Sequence, residues 1–176
     1  MKSMVFAHPF RILATLFVGL LVQGSAINAR AQATESAASP LEGTWLVQVS
    51  QYNCSTGVTR PPFASLLTFA RGGIMTESTS NPALLPGQRT AGHGFWQVTG
   101  VNSYLAVTDA FILFDSPTNP PGLKKGIQKI TQSIAFTDEN HWAALATVKF
   151  FNADGTTSSG CAKAQATRIT ASPDQP

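Results

Sequence analysis

The chain is poor in groups that carry chemistry. Charged residues are 12% of its 176 positions, and it has three histidines and two cysteines. Beyond the first 33 residues the histidines are His93 and His141, 48 positions apart, which is not a metal-ligand spacing. There is no His-x-x-x-His, no Gly-x-Ser-x-Gly and no glycine-rich phosphate loop. Zinc-hydrolase, serine-hydrolase and nucleotide-binding motifs are thereby excluded, and no cofactor or metal is implied. Helical apolar spacing is nearly missing as well. The longest apolar run, Ile12 to Val22, has 11 residues, whereas a membrane-spanning helix needs about 20.

That run has a different explanation. It follows a basic segment with Lys2 and Arg11 and no acid, and it precedes the small-residue stretch ending Ala31-Gln32-Ala33. This is the plan of a secretory signal peptide, residues 1–33, with a second candidate cut after Ala26. The expected destination is the periplasm or the extracellular space, with no membrane span after processing. Lys2, Arg11 and Arg30 leave with the leader, so nine basic residues face nine acidic ones. The pI of 9.1 belongs to the precursor, and the mature charge gives no support to a nucleic-acid partner or an acidic membrane surface. The longest basic run, Lys124-Lys125, reads as a solvated loop. Residues 34–40 read as a disordered lead-in, 41–170 as one domain and 171–176 as a tail.

Within the domain, β-branched and aromatic residues come in short runs bounded by Gly, Pro, Asn, Asp and Ser. The runs predict eight strands, at 44–54, 64–70, 74–78, 94–99, 104–114, 127–136, 141–151 and 156–169. Most connections are short, and Asn152-Ala153-Asp154-Gly155 is a strong hairpin turn. The two longer ones are residues 79–93 and 115–126. Eight sequential strands predict an all-β, up-and-down antiparallel sheet that closes into a barrel, because closure removes exposed edges.

Closure pairs the first strand with the last. If Trp45 lies opposite Arg168, Cys54 faces residue 159, two positions from Cys161. The even cysteine count in an exported chain independently invites a disulfide, so a Cys54–Cys161 bond across the closing seam is expected.

Gly43-Thr44-Trp45 at the start of the first strand resembles the Gly-x-Trp signature of the lipocalins and the wider calycin group. The chain is also similar to exported bacterial proteins of about this size. The resemblance implies that Trp45 closes one end of the barrel and that Arg168, near the end of the last strand, packs across the indole. It gives Gly43, Trp45 and Arg168 structural roles. An eight-stranded barrel has an interior filled by side chains or holding one small ligand. The sequence departs from the family at residues 137–142, which read Thr-Asp-Glu-Asn-His-Trp where a Thr-Asp-Tyr motif is usual, and no helical pattern follows Ile169.

A period of two from Trp45 places Val47, Val49 and Gln51 on the inner face. Ala144, Ala146, Ala162, Ala164 and Ala166 share inner faces with Trp142 and Arg168 and leave space. Leu67, Phe69, Met75, Ile130, Ile134 and Phe136 are the side chains that would fill it, so a cavity and a filled core both remain open. The fifth strand is apolar on both faces. The candidate ligand-binding set is Val47, Val49, Phe69, Met75, Leu84, Leu85, Arg89, His93, Trp96, Tyr104 and Trp142. Leu84 and Leu85 come from the 79–93 loop as a cap, and Arg89 and His93 as partners for a polar head, the alternative being a loop packed by its own leucines. Glu77 and Asp109 form an acid/base pair if both point inward and otherwise face solvent or pair with Arg or Lys, with His93 a further catalytic candidate. Three functions remain: carriage of a small apolar molecule, a cyclase- or isomerase-type barrel enzyme, and a structural or partner-binding envelope module with a filled core. No motif bears on the oligomeric state.

Overall fold

The computed structural model describes residues 38–117 and 122–171. The signal-peptide reading, most of the lead-in and most of the tail lie outside them. The described residues form eight antiparallel strands: β1 Gly43–Tyr52, β2 Phe63–Ala70, β3 Ile74–Thr79, β4 Gly92–Gly100, β5 Ser103–Ile112, β6 Gly126–Asp138, β7 His141–Asn152 and β8 Thr157–Arg168. They make a closed up-and-down barrel in chain order, β1 pairing with β8. No helix among them is long and apolar enough to cross a membrane.

The seam has the expected register. Trp45 lies opposite Arg168, Val47 opposite Ala166 and Tyr52 opposite Cys161. The strand stops at Tyr52 because Asn53 folds the chain into a turn. Its side-chain oxygen accepts the amides of Ser55 and Thr56 at 2.9 and 3.0 Å. Cys54 lies in that turn and bonds Cys161, with Cα atoms 5.4 Å apart. The ring so closed spans a sequence separation of 107, which in a chain-entropy account contributes on the order of 4–5 kcal/mol.

The barrel has two unlike ends. At the first, the connections are short: 71–73, 101–102 and 139–140. The 101–102 hairpin turn contains Asn102, with φ of 55°, a conformation asparagine tolerates better than most residues. Under these turns Trp45, Phe69, Trp96, Tyr104, Phe136 and Trp142 pack edge-to-face or tilted, with ring centroids 5.6–6.4 Å apart. The Trp45 indole N–H donates to the Leu41 carbonyl at 3.0 Å, and that of Trp96 to the Ala70 carbonyl at 3.0 Å. Five predicted ligand contacts, Phe69, Met75, Trp96, Tyr104 and Trp142, are buried in this packed end. The two open alternatives, filled core and cavity, therefore occupy different ends of one barrel.

Arg168 seals the packed end. Its guanidinium lies 4.2 Å from the centre of the Trp45 ring. It donates to the carbonyls of Glu42 at 2.8 Å, Glu139 at 3.4 Å, and Pro40. The planar fork thus satisfies carbonyls of two turns while covering the indole. Gly43 is required for this geometry. Its φ is +127°, and a Cβ there would stand 2.9 Å from the Arg168 Nη1.

The outward faces differ around the barrel. Lys163, Gln165 and Thr167 make β8 polar outside, whereas Phe111, Ile127 and Phe151 lie opposite one another on β5, β6 and β7. All three are exposed, which accounts for the two apolar faces of β5.

Arg168→Ala is expected to lower unfolding free energy by about 2–3 kcal/mol, the sum of a cation–π contact and charged hydrogen bonds. Arg168→Lys keeps the charge but loses the fork and falls between. Urea unfolding followed by tryptophan fluorescence measures both; an unchanged midpoint in Arg168→Ala would show that the seal carries no stability.

Candidate functional site

The second end is built from different residues. Three of its four connections are longer, 53–62, 80–91 and 113–125, and the fourth is the short 153–156 turn. The inward positions of β2, β3 and β6 turn polar here, giving buried Ser65, Glu77, Gln128 and Gln132. Opposite them β7 and β8 offer only Ala146, Val148, Ala162 and Ala164. Small side chains on one wall and polar ones on the other leave a cavity of about 50 Å³. Val47, Val49, Phe63, Leu67 and Ile130 complete its apolar lining.

Arg89 reaches into this cavity from the 80–91 loop. The loop is strapped to the end of β5. The Leu113 amide donates to the Gln88 carbonyl at 2.8 Å, and the Thr90 amide to that of Phe111 at 3.1 Å. Gln88 is fully buried. Its side chain accepts the Leu85 amide at 3.0 Å and donates to the Phe114 carbonyl and Ser116 hydroxyl at 3.0 and 2.9 Å. With the backbone so held on both sides, the next side chain, Arg89, turns inward.

Its guanidinium pairs with Glu77 on β3, and the two side chains are only 4% and 6% exposed. Arg89 Nε donates to the Gln128 side-chain oxygen on β6, and Nη1 to the Thr90 carbonyl at 3.2 Å. Gly92 makes room for the pair, since a Cβ there would stand 2.7 Å from the Glu77 Oε2. A buried pair of this kind survives only with good geometry and further hydrogen bonds, both of which are present.

Outside the loop lies an open groove of about 410 Å³, lined by residues from Ser78 to Ala91, including Leu84 and Leu85. Thr79, Asn81, Leu84 and Arg89 line both groove and cavity. The rim is tied on the far side by Lys124, which pairs with Asp154 of the β7–β8 turn. The hydrogen bond from Lys124, with help from Thr156, holds the Asp154 carboxyl well below the usual carboxylate range.

Of the predicted site residues, the structure brings Val47, Val49, Glu77, Leu84 and Arg89 to this cavity. Leu85 lines only the groove. Asp109 is a correction. It faces outward and pairs with Lys129 at 2.9 Å, because odd-numbered residues of β5 point to solvent while Thr108 and Ala110 point in. It therefore does not form an interior acid/base pair with Glu77. His93 is a second correction. It is exposed on β4, opposite Asp109 in register, so it meets neither the cavity nor a ligand head within it. His141 is also exposed, beside Asp138 at 2.8 Å. No group of three or more potential metal ligands occurs among the described residues.

Sequence reasoning missed Ser65, Gln128, Gln132 and Gln88. The first three carried a readable signal. Ser65 shares the parity of Leu67 and Phe69, and Gln128 and Gln132 share that of Ile130 and Ile134. No local pattern marks Gln88, whose burial depends on where the 113–116 segment passes. Comparison with protein-family models finds no match, and none is found among curated proteins.

Removing one partner of the buried pair strands a charge. Arg89→Leu is expected to destabilise the protein by about 3–5 kcal/mol, and adding Glu77→Leu to regain most of that. Thermal denaturation of the single and double variants tests this; equal losses in both would mean the pair is not coupled.

Proposed function

We propose that this protein is an exported, lipocalin-like barrel that binds and sequesters a small, largely apolar molecule at its open end. One observation carries the reading: the end of β3 and the loop 80–91 present Thr79, Asn81, Leu84 and Arg89 to an outer groove and an inner cavity at once. A ligand lying across that loop has polar partners at one end and apolar walls around it, the composition small-molecule sites share. The cavity alone takes a head group or a short chain, and the groove takes the remainder. The Gly43-Thr44-Trp45 start with Arg168 over the indole supports the lipocalin-like assignment. The Cys54–Cys161 bond fits an oxidising compartment outside the cytoplasm. A cyclase or isomerase reading is weaker, because Glu77 is neutralised by Arg89 and Asp109 is outside.

Native mass spectrometry of protein purified from its own host is expected to show a discrete bound molecule released by organic extraction. Ala146→Phe, which fills the cavity from β7, is expected to weaken binding of a fluorescent fatty-acyl probe by about tenfold or more, roughly the 1.4 kcal/mol or more that a lost apolar pocket is worth. A clean apo mass together with no probe binding would rule out carriage.

A further inference from the structure

The cavity's charge balance restricts what it accepts. We infer that the ligand, taken on the carrier reading above, enters with a neutral hydrogen-bonding head, an alcohol or a carboxamide, and not with a carboxylate or an ammonium. Among the described residues, Arg89 and Glu77 are the only charged ones lining the cavity, and their charges compensate each other. A ligand carboxylate would reach Arg89 only beside the Glu77 carboxylate, leaving two anions on one guanidinium in a site nearly closed to water. A ligand ammonium would face Arg89 on the way to Glu77. Either adds an uncompensated charge to a buried site, which is far more costly than adding a neutral polar group that finds partners.

The rest of the polar lining suits a head that donates and accepts together. Ser65, Gln128 and Gln132 are buried and neutral; the Ser65 hydroxyl donates to that of Thr79 at 3.0 Å and keeps an acceptor lone pair, while the carboxamides carry both a donor and an acceptor. Gln128 is already oriented, because its oxygen accepts from Arg89 Nε. Its amide nitrogen is therefore the donor end, while Glu77 offers an acceptor. Walls holding fixed donors and acceptors reject a ligand that leaves them unpaired, and so discriminate by head group more sharply than by chain length. Arg89 is thus the centre of a neutral site. Glu77 occupies the place that an anionic head would need.

The test compares four eight-carbon probes, octanol, octanamide, octanoate and octylamine, by calorimetry at neutral pH on the mature, oxidised protein. Octanol and octanamide are expected to bind at least about tenfold tighter than the charged pair. In Glu77→Gln the preference between octanol and octanoate should move toward octanoate by about tenfold or more, because Arg89 has lost its partner. In Glu77→Gln/Arg89→Gln the neutral preference should return. Wild-type protein binding octanoate as tightly as octanol would overturn the inference while leaving carriage intact. Binding of none of the four would remove carriage and the inference together. Should Glu77→Gln fail to fold, the wild-type selectivity and the doubly neutral variant still decide.

Discussion

Everything in this barrel depends on β1 meeting β8. The two strands are the most distant in the chain, and their pairing is the last edge to be removed from an eight-stranded sheet. Each end of that seam is fastened by a different chemistry. At one end the Arg168 guanidinium covers Trp45 and collects carbonyls from the 40–42 and 139–140 segments. At the other, Cys54 and Cys161 are covalently joined. With both ends fixed, the register of the remaining strands follows from the hairpin turns, and the inward positions are set.

Those inward positions divide the interior. Large aromatic side chains meet where the turns are tight, and they pack against one another there. Alanines from β7 and β8 face glutamines and Glu77 where the loops are long. One end is therefore a rigid base and the other a mouth. The division is written in single positions: β3 places Met75 in the base and Glu77 in the mouth, and β6 does the same with Ile134 and Gln128. The buried ion pair then ties the mouth's principal loop to the barrel wall. Apolar residues of similar size would give comparable stability there; on the carrier reading proposed above, the pair's part is to select what enters.

The fold was legible because its evidence is periodic. The seam register, the eight strands and the disulfide follow from alternation, turn residues and the positions of Trp45, Arg168, Cys54 and Cys161. The site was legible only in part. Glu77, Arg89 and Leu84 stood out by type and by loop length. Asp109 stood out equally, yet parity on β5 turns it to solvent, and His93 is turned out by the same alternation on β4. Gln128 and Gln132 lay on a face whose inward direction was already assigned from Ile130 and Ile134. They went unread because glutamine does not look like a core residue. Pairing of Glu77 with a basic residue was an open alternative, but its pairing with Arg89 was not readable. It depends on Gln88 being anchored to residues 114 and 116, a contact set by how two loops cross in space.

The position of the Cys54–Cys161 bond has a kinetic consequence. Folding must bring together segments more than a hundred residues apart, and such non-local pairing slows folding because closure entropy is lost before contacts form. In a chain that is unfolded but still oxidised, that closure has already been made within a few residues of the native register. An oxidised chain that opens under heat or force therefore begins its return with the seam aligned. A reduced chain has to search for it, exposing unpaired strand edges while it does.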